Sequence, residues 1–302
     1  MTDAIRDKDI RRIRAALDRY RVTSGKGFDL DDYASDDLPD GLTKIDAKAL
    51  LKQGIEELST LQELLYANKS WSLLIVFQAM DAAGKDSTIK HVMRGVNPQG
   101  VTVTSFKAPT SNELAHDFLW RVGRALPERG TIGIFNRSHY EDVLVTRVHK
   151  DMVAASGLPS GLVPADGFWR DRIADIAAFE AYLGRQGTRI IKFFLDVSPA
   201  EQRKRFLKRL DTPDKTWKFA ASDLAERAHW PDYRKAYQSA IAGTATGAAP
   251  WYIVPADRKW YMRLVVAEAI IQAMDSLDLK APKTPPAARD ALDQARAALA
   301  AE

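Results

Sequence analysis

The chain has 302 residues, of which 46% are hydrophobic and 28% are charged, and its formal charge at pH 7 is +4. This composition is typical of a globular protein with one large α/β domain or two domains. The sequence contains no cysteine, which excludes disulfides, thiolate nucleophiles and cysteine-bound zinc. Residues 1–22 are charged and have no apolar core, so we expect no secretory signal there and a cytoplasmic location. No apolar run approaches the roughly 20 residues that are needed to cross a bilayer, so we expect no membrane partner.

Helical and strand-like segments alternate along most of the chain. Apolar residues at helical spacing predict a helix over 45–67, and the chain then offers short runs rich in Val, Ile and Phe. These runs predict five strands, at 72–79, 101–106, 131–135, 189–195 and 251–254. Further helices are predicted at 85–94, 112–126, 167–184, 199–210 and 259–277. Strands that alternate with helices of this length predict a parallel sheet that is covered on both faces.

The composition also divides the chain into three parts. Residues 1–45 are polar and charged, and we expect them to form an N-terminal surface extension. Residues 46–279 hold the predicted strands and helices and form the main domain. The tail at 280–302 is first rich in proline and then in alanine, which indicates a linker and a weak terminal helix.

A candidate phosphate-binding loop lies at 78–88, with the sequence QAMDAAGKDST. It follows an apolar strand and opens a helix, which is the context that such a loop requires. The N–H groups of the turn and of the helix N-terminus bind anionic oxygens, and Lys85 adds a positive charge. The residues expected to contact phosphate or nucleotide here are Ala82, Ala83, Gly84, Lys85, Asp86 and Ser87, followed by Arg94. The alternative is a Gly-Lys pair that merely begins a surface helix.

The loop departs from the pattern G-x-x-x-x-G-K-[ST] at two positions. Ala79 replaces the first glycine, and Asp86 stands where Ser or Thr is usual. Asp81, inside the loop, would repel a phosphate group by itself. A carboxylate at that position is explained if it holds Mg²⁺, with Mn²⁺ as an alternative, because the metal then bridges to phosphate.

A second group of polar residues, at 136–142, follows the predicted strand 131–135. Side chains at the carboxyl end of a parallel strand face the ligand crevice of such sheets. Arg137 is suited to clamp a phosphate group, and Glu141 and Asp142 are suited to bind Mg²⁺, to orient water or to accept a proton. His139 is more often a structural residue than a catalytic one. The alternative for the whole segment is a helix start capped by Ser138 and Glu141, which is compatible with the functional role.

A basic segment follows the fourth predicted strand, where P-loop kinases carry a lid. Its seven cations are Arg203, Lys204, Arg205, Lys208, Arg209, Lys215 and Lys218. A lid of this charge would close over phosphates and exclude water. A basic stretch with aromatic residues is also compatible with single-stranded nucleic acid, but the sequence contains no dedicated nucleic-acid motif.

Several long segments resemble the polyphosphate kinase 2 family. The resemblance runs from about residue 15 to 278, in order and with the family's spacing. It is carried by DAAGKD at 81–86, IKHV…GVNP at 89–98, FKAP at 106–109, FNRSHYED at 135–142, L…EQRKR at 195–205, KTWKF at 215–219 and APWYIVP at 249–255. Together these motifs are far more specific than the phosphate loop alone.

The resemblance implies a three-layer α/β/α P-loop kinase fold with a helical lid at about 203–230, in a dimer or tetramer. It implies reversible phosphoryl transfer between polyphosphate and AMP or ADP, or GDP, to form ADP or ATP, with Mg²⁺ bound by Asp81 and Glu141. Lys85 resembles the family's phosphate-binding lysine. Arg137, Arg203 and Arg209 resemble its phosphate clamps, and the other lid cations expected to contact polyphosphate are Lys204, Lys208, Lys215 and Lys218.

Asn136 is a departure, because many members of the family have an aspartate at that position. Asn136 together with Glu141 resembles the subgroup that phosphorylates both AMP and ADP, and Glu141 would take over part of the acidic role. Two other functions remain open from the residues alone. One is an ATP-dependent nucleotide kinase on the same fold, and the other is a non-catalytic protein that binds polyanions.

Overall fold

The computed structural model describes residues 3–154, 156–162, 167–218, 222–283 and 285–302. One mixed sheet contains strands β1 (Arg21–Val22), β2 (Ser72–Ala79), β3 (Val101–Ser105), β4 (Ile132–Asn136), β5 (Thr188–Asp196) and β6 (Trp251–Pro255). The helices are α1 (Asp3–Tyr20), α2 (Lys44–Asn68), α3 (Lys85–Val92), α4 (Ser111–Leu114), α5 (Trp120–Gly123), α6 (Val145–Val148), α7 (Asp151–Ala154), α8 (Phe168–Arg185), α9 (Pro199–Leu210), α10 (Ser222–Ala228), α11 (Trp230–Thr244), α12 (Lys259–Asp275) and α13 (Pro286–Ala300).

The strand order is β1-β6-β5-β2-β4-β3, and every pairing except β1 with β6 is parallel. The five predicted strands and the α/β fold are therefore confirmed, and the sheet gains the two-residue strand β1 at one edge. All eight residues of β2 are buried, as expected for a central strand of a sheet covered on both faces. Helices α1, α2, α3 and α12 pack together on one side, and α8 packs with α11 on the other.

The order of the strands determines where a site can form. The central strand β2 lies between β4 and β5, so the segments that follow β2 and β4 emerge side by side at the carboxyl edge of the sheet. The chain turns to opposite sides after these strands, and a crevice of this kind is where open α/β sheets bind ligands.

Two features differ from the sequence predictions. The single helix predicted over 112–126 is wrong, because this stretch forms the two short helices α4 and α5. Thr110 caps α4, and Asp117 Oδ1 accepts a hydrogen bond from the N–H of Leu119 at 2.9 Å, so side chains redirect the backbone between the two helices. Residues near the N-terminus also contribute to the core, since Leu17 and Tyr20 of α1 are buried there. The division into an extension, a main domain and a tail stays a prediction.

None of the helices in the described ranges combines the length and the apolarity that crossing a membrane requires.

A buried ionic cluster lies between the sheet and α8. Lys192, in the middle of β5, is fully buried and donates hydrogen bonds to Glu180 and to the carbonyl oxygen of Thr244. Tyr140 Oη donates to Glu180 Oε1 at 2.7 Å. Burial opposes the ionisation of Glu180, but Lys192 and His139 outweigh it, so the pKa of this carboxyl lies below its usual value. The ion pair ties the central sheet to α8.

We expect Lys192→Met to lower the free energy of unfolding by about 3–5 kcal/mol, because it removes the main counter-ion of the buried Glu180 carboxylate. The double variant Lys192→Met/Glu180→Gln should recover most of this loss, since a neutral amide needs no counter-ion and still accepts from Tyr140. Urea denaturation measures both, with the exposed Lys235→Met on α11 as the control, expected within about 0.5 kcal/mol of the parent protein. If Lys192→Met were as stable as that control, the ion pair of Lys192 and Glu180 would not stabilise the fold.

Candidate active site

The predicted phosphate loop forms the turn between β2 and α3. Gly84 has φ of +109°, in the left-handed region that favours glycine, and Ala82 has φ of +58°. The hydroxyl groups of Ser87 and Thr88 both donate to the carbonyl oxygen of Gly84 at 3.0 Å and fix the first turn of α3. The loop therefore has the strand–turn–helix geometry that presents backbone N–H groups to an anion.

Lys85 reaches back over this turn. Its Nζ donates to the carbonyl oxygen of Ala79, the last residue of β2, at 3.0 Å. Burial lowers the pKa of Lys85, the Arg137 charge lowers it further, and Asp81 acts in the opposite direction. An anionic oxygen that binds here would stabilise the charged form of this lysine.

The loop is anchored by Arg205, which the sequence showed only as one of the lid cations. This guanidinium is buried and donates to the carbonyl oxygens of Ala82 at 3.1 Å and Ala83 at 2.6 Å. It also donates to the carbonyl oxygens of Ala256 at 2.6 Å and Asp257 at 3.2 Å, just after β6. In a trans peptide the N–H points away from the C=O. Carbonyls drawn towards Arg205 therefore turn the following N–H groups of the loop in the other direction, away from this guanidinium.

The second strand-end motif lies beside the loop. Arg137 follows β4 with φ of +62°, and its N–H donates to the carbonyl oxygen of Phe77 in β2 at 3.1 Å. Its guanidinium lies 3.5 Å from Oδ1 of Asp81. Backbone strain at a non-glycine residue is found most often at functional sites, where the surroundings hold it in place. The structure therefore brings two of the predicted site residues, Asp81 and Arg137, into contact.

Asn136 has a partner that the sequence did not indicate. Its Nδ2 donates to Asp86 Oδ1 at 2.7 Å and lies 3.5 Å from Ser105 Oγ. The amide therefore pairs with the carboxylate that occupies the usual Ser/Thr position of the loop. A carboxylate at position 136 would instead face the like charge of Asp86.

Asp81, Arg137 and Glu141 line one cavity of about 300 Å³. Burial raises the pKa of Glu141, although Arg137 and Lys85 oppose the shift. The other residues that line this cavity are Ala79, Met80, Leu144, Val145, Gln202, Asp223, Glu226, Arg227, Tyr233 and Tyr237. Gln202 belongs to the EQRKR motif at 201–205, whereas Tyr233 and Tyr237 lie outside every motif identified in the sequence.

The helix α10 closes this cavity through polar contacts. Glu226 Oε2 accepts from Tyr233 Oη at 2.6 Å, and its carboxylate lies 3.0 Å from Nε2 of His149. Arg227 donates to Gln202, whose Nε2 donates to the carbonyl oxygen of Asp81 at 2.9 Å. The segment after α9 is therefore connected to the phosphate loop.

The predicted lid cations lie in different surroundings. Arg203, Lys204 and Lys208 are exposed on α9, with Lys204 at 3.7 Å from Glu201. Arg209 is half-buried, and its guanidinium lies 3.6 Å from Asp223 of α10. Lys215 and Lys218 belong to the 3₁₀ helix Pro213–Lys218, and their side chains are outside the described part of the chain.

Arg94 lies beyond the carboxyl end of α3, about 12 Å of helix away from the loop. It is exposed there, and its role as a phosphate ligand stays a prediction.

A second cavity, of about 360 Å³, is separate from the cavity that Asp81 and Arg137 line. Asp142, the residue after Glu141, lines this second cavity. Arg172 lies between two aromatic rings, with its guanidinium carbon 4.9 Å from the Phe118 centroid and 4.6 Å from that of Phe168. Leu114, Leu158 and Leu162 supply apolar surface. Stacked rings and a guanidinium are suited to a flat, partly polar ligand.

A metal ion at this site would need ligands beyond the protein's own side chains. No three His, Asp or Glu side chains within the described ranges are placed to hold a metal by themselves. Asp81 has 36% of its side chain exposed in the cavity that Glu141 also lines. Mg²⁺ is commonly bound by one or two carboxylates together with phosphate oxygens and water, and the two carboxylates present here fit that pattern.

A parallel sheet, a Gly-Lys loop after its central strand and an arginine after the neighbouring strand define an α/β protein with the fold of P-loop kinases. Residues 41–282 match the family model of polyphosphate kinase 2. The chain belongs to the polyphosphate kinase 2 family.

The relatives agree with this assignment. A Rhodopseudomonas palustris protein described as an ADP-polyphosphate phosphotransferase is 49% identical over 278 residues, which cover 92% of this chain and 96% of that protein. A Meiothermus ruber protein described as an AMP/ADP-polyphosphate phosphotransferase is 44% identical over 271 residues, which cover 88% of this chain and 96% of the relative. The crystal structure of polyphosphate kinase 2 from Arthrobacter aurescens TC1 superimposes with a TM-score of 0.81 at 42% identity, and covers 90% of this chain and 94% of that one.

We expect Arg205→Lys to lower the turnover rate by about ten- to a hundredfold. A lysine cannot reproduce the forked contacts to carbonyls on two sides, and a displacement of about 1 Å in a positioned loop is enough for a loss of this size. Steady-state kinetics measure the effect, with the exposed Arg185→Lys on α8 as the control. Unchanged turnover in Arg205→Lys would show that the loop does not need this anchor.

Proposed function

We propose that this chain transfers phosphoryl groups reversibly between inorganic polyphosphate and AMP or ADP, forming ADP and ATP, with GDP as a further acceptor that would form GTP. The observation that carries the proposal is the contact between Asp81 and Arg137, because it joins the phosphate loop and the second strand-end motif in one cavity. The descriptions of the two relatives name polyphosphate, together with ADP in one case and with AMP and ADP in the other.

The chain's own residues position the reacting groups and neutralise their charge. Phosphoryl transfer passes through a loose transition state, so positioning and electrostatic stabilisation carry most of the catalysis. Lys85 and the loop N–H groups hold the transferred phosphoryl group, and Arg137 binds the oxygens of donor or acceptor phosphate. The acceptor oxygens of AMP and ADP are ionised at neutral pH, so no strong general base is required.

The metal that we propose is Mg²⁺, with Mn²⁺ as an alternative, held by Asp81 and Glu141 together with phosphate oxygens. When bound it neutralises phosphate charge beside the loop. Asp81 would exchange its contact with Arg137 for the metal, which leaves the guanidinium for a phosphate oxygen.

No covalent phosphohistidine is needed, and the placement of His91, His116 and His139 argues against one. His139 is buried near Glu180 in the ionic cluster, at 3.6 Å. His91 contacts the carbonyl oxygen of Ser87 through Nδ1 at 2.6 Å, and His116 stacks on Trp120. Transfer is therefore direct from donor to acceptor.

The second cavity is the place that we propose for the nucleoside. Its aromatic and leucine side chains would contact the base, and Arg121 and Arg172 are already paired with Asp142 at 3.8 and 3.7 Å. Glu141 and Asp142 are neighbours that line different cavities, so a nucleotide with its base in the second cavity has a short path for its phosphates to Arg137.

We also propose the finer points that the sequence indicated. These are a cytoplasmic location, a homo-oligomer, no nucleic-acid partner, and polyphosphate contacts by the lid cations Arg203, Lys204, Lys208, Arg209, Lys215 and Lys218.

Lys85→Ala should lower the rate of transfer at least roughly a hundredfold, the scale of losing one preorganised charge. The assay supplies Mg²⁺, long-chain polyphosphate and either AMP or ADP, and measures ADP and ATP formed. Lys90→Ala, exposed on the same helix, is the matched control and should keep normal activity. Near-normal turnover in Lys85→Ala would contradict the role of the loop.

The same assay separates the other candidate functions. An ATP-dependent kinase would not form ATP from polyphosphate and ADP. A non-catalytic polyanion-binding protein would bind polyphosphate with a steep dependence on salt and would turn over no nucleotide.

Asn136→Asp should keep the chemistry but shift the ratio of rates towards AMP by about fivefold. The new carboxylate faces Asp86 across the 2.7 Å contact and adds negative charge near the acceptor phosphates, and the more highly charged ADP loses more from it, by about 1 kcal/mol. Initial rates with each acceptor measure the ratio. Asn97→Asp is the control, because it adds the same charge while an aspartate can still accept the hydrogen bond from Gln99. An unchanged ratio of the rates with AMP and ADP would contradict a role of Asn136 in the choice of acceptor.

A further inference from the structure

The first turns of α12 pack against the phosphate loop, outside the cavity that holds Asp81 and Arg137. A Cβ atom on Gly84 would lie 3.9 Å from Cε of Lys259 and 3.5 Å from Cε of Met262. Thr88 Oγ1, on the first turn of α3, lies 3.9 Å from the sulfur of Met262. Arg205 connects the loop to the segment before α12, since it donates hydrogen bonds to the carbonyl oxygens of Ala83 and Ala256. The loop, the carboxyl end of β6 and the start of α12 therefore meet at this point.

Three cations gather here without a carboxylate partner. Lys259 and Arg263 are one turn apart on α12. Lys208, on α9, is near enough for its charge to act on Lys259. None of the three forms an ion pair with a described residue of the chain. The Nε–H of Arg263 is buried and has no acceptor within the described structure. The first turn of α12 contains no acidic residue and its N-cap provides no side-chain hydrogen bond, so its N–H groups add to the positive field.

The neighbouring positive charges affect the pKa of Lys259. Burial and, to a smaller extent, the charges of Arg205, Arg263 and Lys208 together lower the pKa of Lys259 to about 8, while Glu201 acts in the opposite direction. Glu201 forms its ion pair with Arg205, whose Nε donates to Glu201 Oε1 at 2.9 Å. A cluster that served packing alone would carry a carboxylate or an apolar residue at one of these positions, because like charges at this range destabilise the fold.

We propose that Lys208, Lys259 and Arg263 form a second anionic subsite, which binds the part of the polyphosphate chain that lies beyond the phosphoryl group being transferred. The proposal rests on the proposed function. A polymer with a negative charge on every unit can occupy the loop and this cluster at once, because the two are in contact at Gly84. A chain of only a few phosphates fills the loop and leaves the subsite empty.

The subsite predicts that the enzyme distinguishes long from short donors. The second set of contacts adds to the affinity for long chains without touching the acceptor, so it should act on the KM for long-chain polyphosphate rather than on kcat. AMP and ADP, bound through Arg137 on the other side of the loop, should be unaffected.

The test compares Lys259→Met/Arg263→Met with the parent enzyme, using long-chain polyphosphate and tripolyphosphate as donors to ADP. Loss of two charge-assisted contacts should raise the KM for long-chain polyphosphate by about tenfold or more, with kcat, the KM for tripolyphosphate and the KM for ADP within about twofold. The control is Lys48→Met/Lys52→Met, which removes two exposed charges at the same spacing on α2 and should change none of these values. Lys208→Met alone should give a smaller rise in the same KM.

Two outcomes would overturn the subsite. An equal KM for long-chain polyphosphate in the double variant and the parent enzyme would show that the cluster does not contact the donor. A rise in the KM for ADP instead would assign the cluster to the nucleotide. Failure of the proposed function would look different, because the parent enzyme itself would then form no ATP from any polyphosphate.

A binding measurement gives a readout that does not depend on turnover. At pH 8, long-chain polyphosphate should draw protons onto the parent enzyme, since a nearby polyanion raises the pKa of Lys259. Calorimetric titrations in two buffers of different ionisation enthalpy measure this uptake. It should be smaller in Lys259→Met than in the parent enzyme and smaller with tripolyphosphate, and the uptake that remains comes from Lys85 in the loop. Equal uptake in the parent enzyme and Lys259→Met would contradict the proposal.

Discussion

One buried guanidinium organises the phosphate-binding region. Arg205 lies where the loop, the end of β6 and α9 come together, and its hydrogen bonds satisfy four carbonyl oxygens that the turns leave without partners in regular structure. A buried charge is costly unless it is fully hydrogen-bonded, so this arrangement is stable only when all these backbone segments are in place at once. The same contacts orient the loop peptides, and the anion-binding geometry follows from the anchoring of the backbone rather than from the loop sequence alone.

The cations of the site are of two kinds. Arg137 and Arg209 each lie near a carboxylate, of Asp81 and Asp223 respectively, so they are partly neutralised before any phosphate binds. A phosphate that binds there replaces one anion with another, and the change in electrostatic energy is moderate. Lys208 and Lys259 have no such partner among the described residues, so a phosphate chain at their position adds new attraction. Under the proposed function, the first kind suits phosphate groups that are released on every turnover, and the second suits the polyphosphate chain beyond the transferred group.

Much of the fold and part of the site could be predicted from the sequence. The strands are short, apolar and bounded by turns, and the loop at 78–88 lies between a buried strand and a helix, so local patterns were sufficient to place Lys85 and Arg137 at neighbouring strand ends. Local patterns could not place Tyr233 or Glu226, because these residues reach the cavity only through the packing of α10 and α11. They also missed Arg205, whose charge resembles that of any lid residue. Its role depends on burial, which a run of basic residues does not reveal.

Asn136 shows why a single departure from a motif is hard to interpret alone. In the sequence, Asn136 stands at the end of a strand where many members of the family have an aspartate. In the structure its amide donates to Asp86, so the acidic group is present one residue after Lys85, where other phosphate loops have a hydroxyl. The pair Asp86–Asn136 carries the same single negative charge as a hydroxyl facing an aspartate would. The charge beside the loop is therefore relocated rather than removed. A metal or phosphate that binds near β4 meets a neutral amide, whereas the carboxylate lies on α3, and this displacement of charge gives a physical reason for an altered choice of acceptor.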